Sequence, residues 1–171
     1  AIAEALDNRK ESVSKEVNDS VLRIIEEIKT KGDEALLSYC KNFDGYDAKS
    51  MNEMIVTETE ITEALSQVDA DYMRILERAK DQIIEFHTNQ IDKSWSVFKE
   101  NGVVMGQIVR PLERVALYVP GGTASYPSTV LMNGVPAMLA GVKDMVIITP
   151  VKEDGKVNPV IIAAAIVCGI K

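Results

Sequence analysis

Residues 117–129, Leu-Tyr-Val-Pro-Gly-Gly-Thr-Ala-Ser-Tyr-Pro-Ser-Thr, carry the types and spacing best suited to chemistry. They follow a short apolar run, Val115–Val119, and precede a helix-length segment, so the stretch reads as a strand-to-helix turn. Gly121 and Gly122 can take positive φ and let a ligand approach the backbone. Pro127 suits the first turn of a helix. The free N–H groups of that turn, with the hydroxyls of Ser125, Ser128 and Thr129 nearby, would attract an anion such as a phosphate. The stretch is not G-x-G-x-x-G, and it is not a P-loop because no Gly-Lys-Ser/Thr occurs. On physical grounds it is either an anion or nucleotide site or an ordinary tight turn, and Tyr118 alone reads as a packing residue.

No other residues assemble a catalytic constellation. Cys40 and Cys168 are far apart, lack CxxC or metal-ligand spacing, and read as small buried hydrophobes. Cys168 lies in an apolar helix without a nearby base, which argues against a nucleophilic-cysteine enzyme. His87 is the single histidine, so this chain assembles no His-rich metal site. It falls in a long helix and reads as a hydrogen-bonded structural residue. Glu26-Glu27, Glu58 and Glu60 read as exposed helix charges.

The elements that must position the turn follow from periodicity. After it, a helix from about Pro127 to Ala140 is closed by Gly141, with a kink expected at Pro136. A buried-type strand, Asp144–Pro150, a loop at Glu153-Asp154-Gly155 and a last helix from Val157 to Gly169 follow. Strand, helix, strand, helix is a βαβα unit with parallel strands. The last helix has no polar face, and both strands are apolar on both faces. Such elements need cover on all sides. The expectation is therefore a piece of something larger, or a chain completed by a partner; the missing initiator Met and the end at Lys171 agree with this.

The preceding region reads as mostly helical. Val17, Val21, Ile24, Ile25 and Ile28 recur at helical spacing up to Gly32, and Asp33 is placed to cap a helix through Leu36, Leu37 and Cys40. Met54-Ile55-Val56 reads as a short strand. Thr57 with Glu60 forms a capping-box pattern. A long helix carries Tyr72, Ile75, Leu76, Ala79, Ile83 and Phe86 on one face and ends near Gln90. Gly106–Arg110 reads as extended after an Asn101-Gly102 turn.

Of 171 residues, 46% are apolar and 26% charged, a globular composition. Net charge is −7, which disfavours nucleic acid. The longest apolar stretch, Val160–Ile170, falls well short of the roughly 20 residues that span a bilayer. Residues 115–171 carry Lys143, Lys152, Lys156 and Lys171 against Asp144, Glu153 and Asp154, so the acidic excess lies in the first 114 residues. This break near Pro111–Arg114 divides the chain into a mostly helical region, 1–113, and the βαβα region, 114–171.

Residues 118–133, Tyr-Val-Pro-Gly-Gly-Thr-Ala-Ser-Tyr-Pro-Ser-Thr-Val-Leu-Met-Asn, then Val-Pro-Ala at 135–137 and Ala-Gly-Val at 140–142, closely resemble histidinol dehydrogenases. So do Arg110–Val115, Lys31–Leu36, Phe43-Asp44-Gly45 and Phe86–Gln90. The resemblance runs from about residue 15 to the end of the chain, and the tyrosine-glycine block is its most specific part. It implies an α/β fold, an incomplete Rossmann-like parallel βαβα unit similar to aldehyde dehydrogenases. It implies an N-terminal part of a zinc-dependent homodimer that oxidises L-histidinol to L-histidine with two NAD, in the cytoplasm. It further implies that Tyr118 contacts NAD, with Gly121, Gly122 and Thr123 lining the same turn. Zinc ligands, the Glu-His catalytic pair and most substrate contacts are expected beyond Lys171, so catalytic and metal residues are none in this chain and the chain alone should be inactive. The competing expectation is a self-contained, non-enzymatic nucleotide- or phosphate-binding module.

Overall fold

A computed structural model describes residues 15–121, 125–151 and 154–170. Two compact units divide between Met54 and Ile55. The compositional break at residues 111–114 lies inside the second unit, where Arg114 opens a strand.

In the first unit, α1 (Lys15–Lys31) runs into α2 (Asp33–Tyr39) through Gly32, whose φ of 57° only glycine adopts readily. Gly32 itself is the N-cap. Asp33 lies one residue inside the helix, where it complements the dipole rather than capping as expected. Along α1, Val17, Val21, Ile25 and Ile28 are exposed. After α2 the chain loosens into a π turn, Cys40–Asp44, ended by Gly45 at φ 72°, with Tyr39 and Phe43 stacked 5.3 Å apart. Cys40 is half-buried, less than its apolar reading implied. No strand forms at 54–56. A 3-10 turn, Met51–Met54, stands there instead, and Ile55 and Val56 are left exposed without a strand to pair with.

The second unit begins with the expected capping box. The Thr57 hydroxyl accepts from the Glu60 backbone N–H at 3.3 Å, and the Glu60 carboxylate accepts from the Thr57 N–H at 2.7 Å, opening α3 (Glu58–Ser66). Asp69 caps α4 (Ala70–Thr88) through the Asp71 N–H. On α4, Leu76 is buried and Tyr72, Met73, Ala79, Ile83 and Ile84 pack on the core, whereas Ile75 and Phe86 are exposed; the core-facing stripe is displaced from the one read in the sequence. A hairpin follows, β1 (Trp95–Phe98) antiparallel to β2 (Val104–Gln107), turning through Gly102 at φ 82°. The sequence reading placed an extended segment at 106–110. The pairing falls earlier, and β1 was not foreseen because its alternation is only four residues long.

The βαβα unit forms as expected: β3 (Arg114–Tyr118), α5 (Pro127–Leu139), β4 (Asp144–Ile148) and α6 (Pro159–Val167). The two strands are parallel, in register from Arg114↔Asp144 to Tyr118↔Ile148, and the Val119 N–H extends the ladder to the Ile148 carbonyl at 2.9 Å. α5 continues through Pro136 as one helix.

Both expectations about cover need correction. The polar-faceless α6 is covered largely within the chain, because α3, α4 and α5 pack around it. Ile161, Ile162, Ala163, Ala164 and Val167 are buried, and Ile166 alone among its large side chains is exposed. The Lys80 ammonium donates to the Val167 carbonyl at 2.8 Å, a cation at the helix C-terminus where the dipole favours it. The parallel strands, by contrast, are covered on one face only. Leu117, Met145 and Ile147 pack on the core with Val119, Val130 and Val135, while Ala116, Tyr118, Val146 and Ile148 of the other face are exposed. The core itself is dry: no buried polar side chain occurs among the described residues. Burial of each fully enclosed valine contributes roughly 1.5–3 kcal/mol.

Candidate functional site

In parallel α/β sheets, ligands bind outside the carboxyl ends of the strands, where the connecting turns meet. Here that end is occupied by Tyr118 and Ile148 and by the turns that leave them. Alternation along β3 sends Leu117 to the core and Tyr118 to the open face, 64% exposed, so its ring is free to carry a ligand. None of the described residues covers it.

Gly121 is half-buried and needs its missing side chain for a reason the sequence did not reveal. Its φ is not positive. A Cβ there would lie 2.7 Å from the Pro150 carbonyl oxygen and 3.1 Å from the Thr149 hydroxyl. Glycine thus lets the turn after β3 lie directly against the backbone after β4, closing the carboxyl end of the sheet. Gly122 and Thr123 lie outside the described residues.

The α5 N-terminus begins with Pro127 after Tyr126, and no side chain among the described residues caps it. The hydroxyls grouped at this turn in the sequence do not act together. Ser125 is engaged by Asn158, whose amide donates to the Ser125 hydroxyl at 2.5 Å. Asn158 also caps α6, its side-chain oxygen accepting from the Val160 N–H at 3.1 Å. Together with Thr149, Pro150 and Lys156, these residues enclose a cavity of about 20 Å³, room for one water. Asn158 and Lys156 were missed by sequence reading. The Asn158-Pro159 pair before an apolar run is a helix-start signal that would have placed the cap, but its reach to residue 125 has no sequence signature.

The remaining candidates lie away from this end. His87 makes a hydrogen bond between its Nδ1 and the Gln90 side-chain oxygen at 2.6 Å and packs edge-on to Phe86. Cys168 is buried against Gly134 and the Val130 carbonyl, and burial raises its thiol pKa, with Lys80 opposing, which does not suit a nucleophile. No group of three or more His, Cys, Asp or Glu placed to hold a metal occurs among the described residues. An exposed aromatic ring, a close-packed glycine turn and an uncapped helix N-terminus fit a dinucleotide; the donor set does not fit zinc.

Known proteins resemble this chain in sequence and in fold. The family model for histidinol dehydrogenase matches residues 7–171. The chain is 62% identical over 170 residues to the histidinol dehydrogenase of Lactococcus lactis subsp. lactis, covering 99% of this chain and 39% of that protein. It is 43% identical over 167 residues to that of Clostridium acetobutylicum, covering 98% and 38%. The crystal structure of histidinol dehydrogenase from Elizabethkingia anophelis superposes with a TM-score of 0.81 at 36% identity, over 91% of this chain and 35% of that one. The chain thus spans under two-fifths of the length of the curated relatives it matches. These likenesses favour a portion of a dehydrogenase over a free-standing binding module. With nearly its whole length matched and its fold shared, this chain belongs to the histidinol dehydrogenase family, as an N-terminal portion of it.

Proposed function

We propose that this chain supplies part of the NAD pocket of a histidinol dehydrogenase, the enzyme that oxidises L-histidinol to L-histidine in histidine biosynthesis. Residues 114–171 would begin the NAD-binding domain, preceded by the helices and the β1–β2 hairpin described between residues 15 and 113. The observation that carries the proposal is Tyr118, exposed at the carboxyl end of β3 beside the Gly121 turn in a chain of this family. The Tyr118 ring offers a flat surface for a base or ribose, and Gly121 lies in the turn that leaves the same strand end. The uncapped start of α5 suits a phosphate, whose negative charge the helix dipole favours. When bound, the nicotinamide accepts hydride from the substrate carbon. What this chain contributes is binding and orientation, and its exposed apolar strand face, Ala116, Val146 and Ile148, would exclude water once covered. Zinc, its ligands, the acid–base pair, the homodimer contacts and a cytoplasmic location belong to the proposal for the full-length enzyme. No step through the metal rests on these residues.

The test is Tyr118→Ala in the full-length enzyme carrying this segment. Loss of a stacked aromatic costs about 1–3 kcal/mol, roughly five- to 150-fold in affinity. The KM for NAD should rise by a factor in that range, with the KM for histidinol changed far less. Equal effects on both would contradict the placement. The isolated 171-residue chain should form no NADH from histidinol.

A further inference from the structure

The β1–β2 hairpin is fully formed, yet it faces solvent on both sides. Its turn is closed by the Lys99 N–H, which donates to the Val103 carbonyl at 2.9 Å. Its base is clasped by the Ser94 hydroxyl, which accepts from the Val109 N–H at 2.9 Å. Every residue of both strands is exposed. The register, from Trp95↔Gln107 to Phe98↔Val104, sorts the side chains between two faces. Trp95, Val97 and Met105 stand on one face, Phe98 and Val104 on the other, and all five are exposed. Exposed strands normally carry a guard against pairing with other chains, such as a lysine, a proline or a bulge. Neither strand here holds a charged residue or a proline, and their pairing is unbroken. A two-stranded hairpin by itself is at best marginally stable in water. One that is apolar on both sides is built to be enclosed.

Two kinds of cover compete: a second copy of the chain, or more of the same polypeptide. A twofold contact between copies sets one patch against its own image, and so covers one face. Here two faces, turned away from each other, need cover. The chain spans under two-fifths of the length of its curated relatives, so about three-fifths of such a polypeptide lies outside these residues. We infer that the β1–β2 hairpin is a docking element for the polypeptide beyond residue 171, which encloses both of its faces in the full-length enzyme. This rests on membership of the family and is independent of where NAD binds.

Cross-linking from each face identifies the cover. A benzophenone amino acid is placed in turn at positions 95 and 98 of the full-length enzyme, one on each face, and the protein is irradiated. The expected products at both positions have the mass of one polypeptide, with cross-linked peptides from beyond residue 171. A product of doubled mass at either position makes a second copy the cover and overturns the inference. So does a product confined to residues 1–171, or the lack of a product from one face. The unaltered hairpin is read through Trp95, the sole tryptophan of this chain, with every tryptophan beyond residue 171 replaced by phenylalanine. A covered ring, with about a tenth of its surface open, should be quenched by acrylamide roughly tenfold less in the native enzyme than in urea. A ring left 55% exposed would be quenched about half as well as in urea, and that result overturns the inference.

Discussion

Replacing Gly121 with alanine probes the site at its most crowded point. The added Cβ would stand 2.7 Å from the Pro150 carbonyl oxygen, 3.1 Å from the Thr149 hydroxyl and 3.3 Å from Pro150 Cδ. A carbonyl cannot rotate away as a side chain can, and the proline ring restrains its own backbone. The turn after β3 or the backbone after β4 must therefore move. The φ at Gly121 is not positive, so the expected effect is laid to the steric clash rather than to a left-handed backbone. Overpacking of this kind costs about 1–3 kcal/mol. With a urea dependence of about 2 kcal/mol per molar, that is a midpoint lower by roughly 0.5–1.5 M. Urea unfolding of the chain followed by circular dichroism measures this. In the full-length enzyme the KM for NAD should rise, because the displaced segment carries the turn next to Tyr118. Gly121→Val should be worse on both counts. An alanine variant with an unchanged midpoint and an unchanged KM for NAD would refute the close-packing explanation.

Leu76 is the buried side chain through which α4 joins the core, so Leu76→Ala should cost about 2–5 kcal/mol, read as a lower urea midpoint. The capping box at Thr57 gives a pH dependence. Hydrogen bonds from the Thr57 backbone and hydroxyl, in that order, hold the Glu60 carboxyl below the usual glutamate range. A carboxyl whose folded pKa is lowered stabilises fully above its unfolded pKa, and the benefit is lost as pH falls through the folded value. Acid titration of stability should therefore show a loss below the ordinary glutamate range that Glu60→Gln, which can still complete the box, reduces. Thr57→Ala should cost about 0.5–2 kcal/mol at neutral pH. For the thiols, a native-state reagent should modify half-buried Cys40 before Cys168, which should react only on unfolding.

The fold was legible where local chemistry decides it. The capping box, the parallel βαβα order and the glycine that closes α5 all rest on residues within a few positions of each other. It was not legible where distant residues decide. α6 was taken to need a partner because its own sequence shows no polar face, yet α3 and α4, whose last residues lie 93 and 71 positions before Pro159, supply much of the cover. The strands were taken as covered on both faces because both faces are apolar, and the exposed face follows only from knowing that no described helix lies over it. The hairpin at β1 and β2 escaped because four-residue strands leave too short an alternation. At the candidate site, Tyr118 was singled out from its motif, whereas the close approach at Gly121 depends on Pro150, a neighbour only in space. Asn158 was hidden for the same reason.

The most direct measurement is a crystal structure of the full-length enzyme with NAD bound. The account predicts the cofactor against the exposed Tyr118 ring at the carboxyl end of β3, with Gly121 still packed on the Pro150 backbone. A cofactor seated elsewhere, with Tyr118 covered by another part of the polypeptide, would contradict it.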